Sequence, residues 1–433
     1  INSRIKHNNT IMKSNKTQKA RRALIAAVVG NTLEWYDFAV YGFLATILAS
    51  HFFPATNEVT SLLRTFGAFG VGFAARPIGG IIFGRLADRR GRKFTLMITI
   101  QLMAAGTLLI GVLPTYGQIG LLAPILLVLA RLLQGFSAGG EWGGGTAFIV
   151  EWAGKNRRGL TGSLQQISVA AGLLLGSGFA ALLSTVLNES SLIEWGWRIP
   201  FLLGALIGVV GIYIRSNVDE TPLFKQTVNV STSDGSENKA IVAPAVRAFG
   251  FTIHWTVVYY IFLAYMPTFA IRHLNLERAD ALWSNAAGLL VLIIVAPVTG
   301  YFSDRFGRRP FLIGSCLAVA AAVYPVFSYL LENPSLLSLV IAQMLFGILI
   351  ALYSGPGPAA IAELFDTEKR ATGMSIGYSL AVAMFGGFAP FIATWLIDVT
   401  GSPLSPAFYV LAASLLTGMV ILRFPETAHR PLK

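Results

Sequence analysis

Apolar residues run along this chain in twelve long stretches, near 22–50, 61–86, 94–113, 120–150, 159–187, 197–215, 246–272, 282–302, 310–331, 335–364, 371–398 and 405–423. A helix rises 1.5 Å per residue, so about 20 apolar residues cross the hydrocarbon core of a bilayer. Most connections between the stretches are short. The one long polar interruption, 216–245, is rich in Ser, Asn and charge and divides the stretches six and six. The pattern predicts an all-α membrane protein with 12 transmembrane helices in two pseudo-symmetric six-helix bundles, 21–215 and 246–424. A disordered tail (1–20), a central loop (216–245) and a second tail (425–433) complete it. Residues 1–20 hold no apolar core followed by a small-residue cleavage site, so no signal peptide is read there.

The two halves carry the same signals in the same order. Gly84, Asp88-Arg89 and Gly91-Arg92-Lys93 return as Gly300, Asp304-Arg305 and Gly307-Arg308-Arg309. Glu151 with Arg157-Arg158 returns as Glu363 with Lys369-Arg370, and Glu220-Thr221 returns as Glu426-Thr427. Each copy sits at a helix end. Asp88, Arg92, Asp304, Arg308, Glu151, Arg158, Glu363 and Arg370 are therefore expected to form gates, with the aspartates capping helix N-termini or pairing with arginine.

Composition agrees with the membrane reading: 54% of the 433 residues are hydrophobic and 12% charged, against about 25% charged in soluble domains. The single cysteine, Cys316, excludes an internal disulfide. A net charge of +12 would suggest nucleic acid in a soluble protein. Here 27 of the 33 Lys and Arg fall on one side of the spans and four on the other. That bias makes the rich side cytoplasmic, with both termini inside, and leaves no role for nucleic acid.

Charges inside the spans are costly and mark ion or substrate paths. In the first stretch Glu34, Asp37 and Tyr41 lie within about 60° on one helix face. Glu34 sits roughly 16 Å from the cytoplasmic end, near mid-bilayer. In the fourth, Arg131, Gln134 and Glu141 share an arc of about 80°. Arg131 comes level with Asp37 and Tyr41, and the expectation is that it alternates between pairing with Asp37 and holding a substrate carboxylate in its planar fork. Glu141 is either a second proton station or part of a gate. Arg76 either binds the substrate or anchors helix packing. The C-terminal half offers His254, Trp255, Tyr259, Tyr260, Tyr353 and Tyr378 as an opposite wall, and Gln166 aligns with Tyr378 across the repeat.

Two catalytic patterns fail. Gly135, Ser137 and Gly139 fit G-x-S-x-G inside an apolar span, where no strand can form the nucleophile elbow. The Gly139–Gly145 run lacks the Lys and hydroxyl residue of a phosphate loop. No enzyme activity is expected, and no metal-ligand cluster is found.

The paired basic loops and six-plus-six spans resemble the major facilitator superfamily. More narrowly, Gly30-Asn31, Glu34-Trp35-Tyr36-Asp37 and Tyr41-Gly42 resemble its metabolite:proton symporter family. Arg76-Pro77, Gly79-Gly80, Arg131, Gln134-Gly135 and Glu194 to Pro200 support the same resemblance, which covers about residues 20–428. It implies alternating access, no cofactor beyond the proton as coupling ion, and a functional monomer in the inner or plasma membrane. Asn31, with Arg131, Tyr41, Arg76, Gln134 and Gln166, is a candidate to bind the substrate. Members carry organic acids such as α-ketoglutarate, citrate and shikimate, or proline and betaine. Osmosensing members bear a long C-terminal coiled coil, whereas this sequence stops at Lys433. The expectation is therefore proton symport of a small organic anion, a mono- or dicarboxylate. A zwitterionic osmolyte or amino acid is the alternative, and a transporter-like membrane sensor is the alternative of another class.

Overall fold

The computed structural model describes residues 28–90, 92–139, 141–151, 153, 156–216, 239–367, 370–430 and 432. The first tail and most of the central loop lie outside the described residues. So do the side chains of Asp88, Arg92 and Glu141.

The described chain is helical. Its long helices are α1 (28–52), α2 (Glu58–Ala74, continued by Arg76–Arg90), α3 (Arg92–Val112), α4 (Leu122–Glu151), α5 (Arg158–Val186) and α6 (Arg198–Ser216). The second half supplies α7 (Val242–His273), α8 (Arg278–Phe306), α9 (Arg309–Glu332), α10 (Leu336–Ala362), α11 (Arg370–Thr400) and α12 (Ser405–Leu422). Among the described residues nine helices are long and apolar enough to cross a membrane, namely α2, α4, α5 and α7 to α12. Many large side chains on their outer faces, such as Leu337, Ile341 and Val399, are exposed, as a lipid-facing surface requires.

Within the first half α3 lies along α6 and α4, and α2 along α4; within the second, α8 packs on α10, α9 on α12, and α7 on α11 and α12. The halves meet where α5 runs along α8 and where α11 crosses α2 and the end of α4. Small residues set these distances. A Cβ on Gly135 would fall 1.5 Å from the Gly72 carbonyl oxygen, so α2 and α4 touch backbone to backbone. That contact brings Arg131, one turn back on α4, against α1 and α2.

Two π turns, Ile261–Tyr265 in α7 and Val382–Gly386 in α11, rotate the faces of both helices where they line the boundary between the halves. Gly386 lets α11 approach Thr256 of α7, since a Cβ there would sit 1.9 Å from the threonine hydroxyl. In α5, Gly172 and Gly176 lie against α1, whereas Gly178 has nothing within 4 Å.

Candidate functional site

Arg131 is fully buried, with its guanidinium 4.4 Å from the ring centre of Tyr41 and 4.8 Å from that of Phe38. It does not pair directly with Asp37. Arg131 Nη1 donates to Gln134 Oε1 (2.8 Å), Gln134 Nε2 donates to Thr107 Oγ1 (2.8 Å), and Thr107 donates to Asp37 Oδ2 (2.7 Å). Two neutral side chains thus stand where a salt bridge was expected. Nothing in the sequence marked Thr107, one of three threonines in its apolar span.

Arg76 is the second buried cation. It reaches Glu34 at 3.7 Å and lies over the rings of Phe73 (4.4 Å), Phe38 (4.6 Å) and Trp35 (5.4 Å). Glu34 and Asp37 also border a partly open space of about 430 Å³ between α1, α3, α4 and α6, lined from the first half.

A separate space of about 260 Å³ lies between the halves. Trp35, Gln166 and Val169 line it from the first half; Trp255, Thr256, Tyr259, Tyr260 and Tyr378 line it from the second. Trp255 Nε1 donates to Ser354 (2.9 Å), which fixes the indole, and Tyr378 stacks flat on Trp142 at 3.4 Å. The buried hydroxyls of Thr256, Tyr259 and Tyr260 have no hydrogen-bond partner among the described residues. A buried polar group without a partner costs about 1–3 kcal/mol, so each of the three hydroxyls around this space can bond a polar group placed there.

Several expected substrate contacts are occupied otherwise. Asn31 donates to Ser168 (2.7 Å) and ties α1 to α5. The Tyr41 hydroxyl donates to the Thr65 carbonyl, and Tyr353 to that of Phe251 (2.6 Å). His254 points into its own bundle, bonded to Ser414 (2.9 Å) and Ser315 (3.3 Å). Each is a polar residue satisfied by a neighbouring helix, and none of these four borders the space between the halves. Gln134 acts through Thr107 and Arg131.

The repeated loop motifs meet at one end of the interface. Arg158 pairs with Glu363 (2.8 Å) and Arg370 with Glu151 (2.7 Å), each pair crossing between halves. Asp304 accepts from the backbone N–H of Gly159 (2.8 Å) and Leu160 (3.0 Å), capping α5, and pairs with Arg308 (2.8 Å). Arg308 also reaches Glu363 (3.2 Å). The C-terminal segment joins in: Arg158 donates to the carbonyls of Ala428 and Arg430, and Glu426 accepts from the N–H of Arg308 and Arg309. Burial would raise the Glu426 carboxyl, but the N–H donors of Arg308, Ala428, Arg309 and Thr427 outweigh it and hold it below the ordinary carboxylate range. At the opposite end Arg272 pairs with Glu58, Arg278 donates to Thr46 (2.6 Å), and Phe388 packs where Gly70 leaves room. Contacts between the halves thus stand at both ends of the interface.

Residues 23–239 match the family model described as sugar (and other) transporter, and residues 248–433 match that of the major facilitator superfamily. The chain is 35% identical over 429 residues to the proline/betaine transporter of Salmonella typhimurium, covering 96% of this chain and 85% of that protein. It is 34% identical over 430 residues to the glycine betaine/proline/ectoine/pipecolic acid transporter OusA of Dickeya dadantii, with the same coverage. Among solved structures it resembles the proton:xylose symporter XylE with a TM-score of 0.79 at 16% identity, covering 96% of this chain and 98% of that one. That likeness speaks for the fold. This chain belongs to the major facilitator superfamily and is a multi-pass transporter of the cell membrane.

Proposed function

We propose that this protein imports a small zwitterion, of the betaine or proline class, together with a proton. The space between the halves carries the reading. It joins aromatic faces to three unpartnered hydroxyls, and none of its lining side chains is an Asp, Glu, Lys, Arg or His. Aromatic faces attract a quaternary or secondary ammonium, and the hydroxyls of Thr256, Tyr259 and Tyr260 can donate to its carboxylate. A dicarboxylate would leave a net charge in this uncharged lining. The proline and betaine relatives point the same way, so the zwitterion takes precedence over the organic anion. The end of the sequence at Lys433 carries no weight against these matches.

In this reading the twelve helices all cross the membrane, with both termini and the paired basic loops on the cytoplasmic side. A proton taken up at Asp37 alters the chain through Thr107 and Gln134 to Arg131. The substrate in the central space meets Trp35, whose ring also carries Arg76. Occupancy of both sites is what permits the halves to rock, breaking the pairs at one end while those at the other hold. The test is uptake of radiolabelled proline and glycine betaine into proteoliposomes, with α-ketoglutarate as the competing cargo class. Saturable uptake of the zwitterions driven by an inward proton gradient supports the reading; uptake of the acid alone overturns it.

A further inference from the structure

Thr107 has one hydroxyl hydrogen and two acceptors in reach: Asp37 Oδ2 at 2.7 Å and the Met103 carbonyl at 3.0 Å. Its oxygen also accepts from Gln134 Nε2 at 2.8 Å. That direction is forced, because Gln134 Oε1 must accept from Arg131, which has donors only. All four side chains are buried.

We propose that the Thr107 hydroxyl is a positioning switch that transmits the proton state of Asp37 to Arg131. The proposal rests on the reading that Asp37 carries the coupled proton. With Asp37 a carboxylate, the hydroxyl hydrogen must point to it. Every donor in the series Arg131, Gln134, Thr107 then aims at the anion, and bonds aligned in series on a charge reinforce one another. With Asp37 protonated, the acid donates to Thr107 and the hydroxyl hydrogen turns to Met103. The threonine oxygen then accepts from both Asp37 and Gln134, so neither state strands a donor. The series loses its anion, and Arg131 loses the pull that holds it.

The groups facing Asp37 fit this account. On α1 they are Glu34 and Tyr36, and α4 brings Arg131; Arg76 of α2 lies next to Arg131, the two guanidinium groups sharing the Phe38 ring. From α3 and α6 come Thr107 and Gly204, the latter without room for a side chain beside Asp37 Oδ1. Arg131 Nε and Nη2 have no hydrogen-bond partner among the described residues, so that cation is held mainly by the relay and by aromatic faces.

Infrared spectroscopy of the purified protein in nanodiscs across pH, on wild type, Asp37→Asn, Thr107→Val and Thr107→Ser, tests the proposal. The protonated-carboxyl band lost in Asp37→Asn belongs to Asp37. It should move to higher wavenumber in Thr107→Val and return in Thr107→Ser. In proteoliposomes with radiolabelled proline, Thr107→Val should lower gradient-driven accumulation at least tenfold and leave proline counterflow within twofold. A band unmoved in Thr107→Val overturns the switch. Equal losses of counterflow and accumulation overturn it too, since they mark a structural role. If Asp37→Asn removes no band, the underlying reading of Asp37 fails instead.

Discussion

Arg158 and Glu363, one from each half, meet at 2.8 Å, and their repeat mates Arg370 and Glu151 meet at 2.7 Å. The duplicated motif thus pairs with its own copy, each glutamate taking the arginine of the other half. Breaking a buried pair by removing one partner costs about 3–5 kcal/mol, and here the cost falls on one conformation alone. Glu363→Gln should therefore open this end. Ser303 is buried and accepts from Arg308, which also reaches Glu363, so a Ser303→Cys thiol should be labelled by a polar maleimide at least tenfold faster in Glu363→Gln than in the parent. Unchanged labelling would show that the pair does not hold the gate.

The C-terminal segment responds to acid with a definite sign. Glu426 is held below the ordinary carboxylate range by the backbone N–H groups of Arg308 and Arg309 at the start of α9 and of Thr427 and Ala428 in its own segment, which outweigh its burial. A carboxyl whose folded value is depressed contributes stability above its unfolded value and loses it as pH falls through the folded one. Glu426→Gln should lower the melting temperature at neutral pH, and the difference from wild type should shrink as pH drops below about 4. Melting curves from pH 7 to pH 3 check it; a difference that persists or grows in acid goes against the assignment.

Loss of a hydroxyl around the central space should weaken substrate binding without disturbing the fold. A hydrogen bond to a charged group contributes about 1.5–3 kcal/mol, so Tyr259→Phe, Tyr260→Phe and Thr256→Val should each raise the half-saturation concentration for proline roughly tenfold or more. Because these hydroxyls have no hydrogen-bond partner among the described residues, thermal stability should hold or rise. Variants that lose stability but keep affinity would remove the hydroxyls from the site.

The approach of α2 to α4 allows no side chain at Gly135, where a Cβ would sit 1.5 Å from the Gly72 oxygen. Gly135→Ala should abolish folded, monodisperse protein in size-exclusion chromatography. Gly144→Ala, in the same helix with nothing within 4 Å, should be neutral or gain up to about 1 kcal/mol.

What the sequence made readable was what repeats or what is costly. The gate glutamates and arginines announced themselves twice, and the charges of α1, α2 and α4 stood out against apolar spans. The direction of a modest polar side chain was not readable. Asn31, Tyr41, Tyr353 and His254 look like substrate ligands in one dimension, yet neighbouring helices satisfy them. Thr107 gave no signal, because threonine in a span commonly bonds its own helix backbone, as Thr107 also does to Met103. Trp35 joins the pocket where α1 presses against Gly172 of α5, a contact that hydrophobic periodicity does not encode.

The most direct measurement is uptake into proteoliposomes of radiolabelled glycine betaine, proline and α-ketoglutarate, with and without an inward proton gradient, for wild type and Asp37→Asn. The account predicts gradient-driven accumulation of the two zwitterions that collapses with an uncoupler and is lost in Asp37→Asn. Accumulation of α-ketoglutarate in place of the zwitterions, or gradient-driven zwitterion uptake that survives in Asp37→Asn, would contradict it.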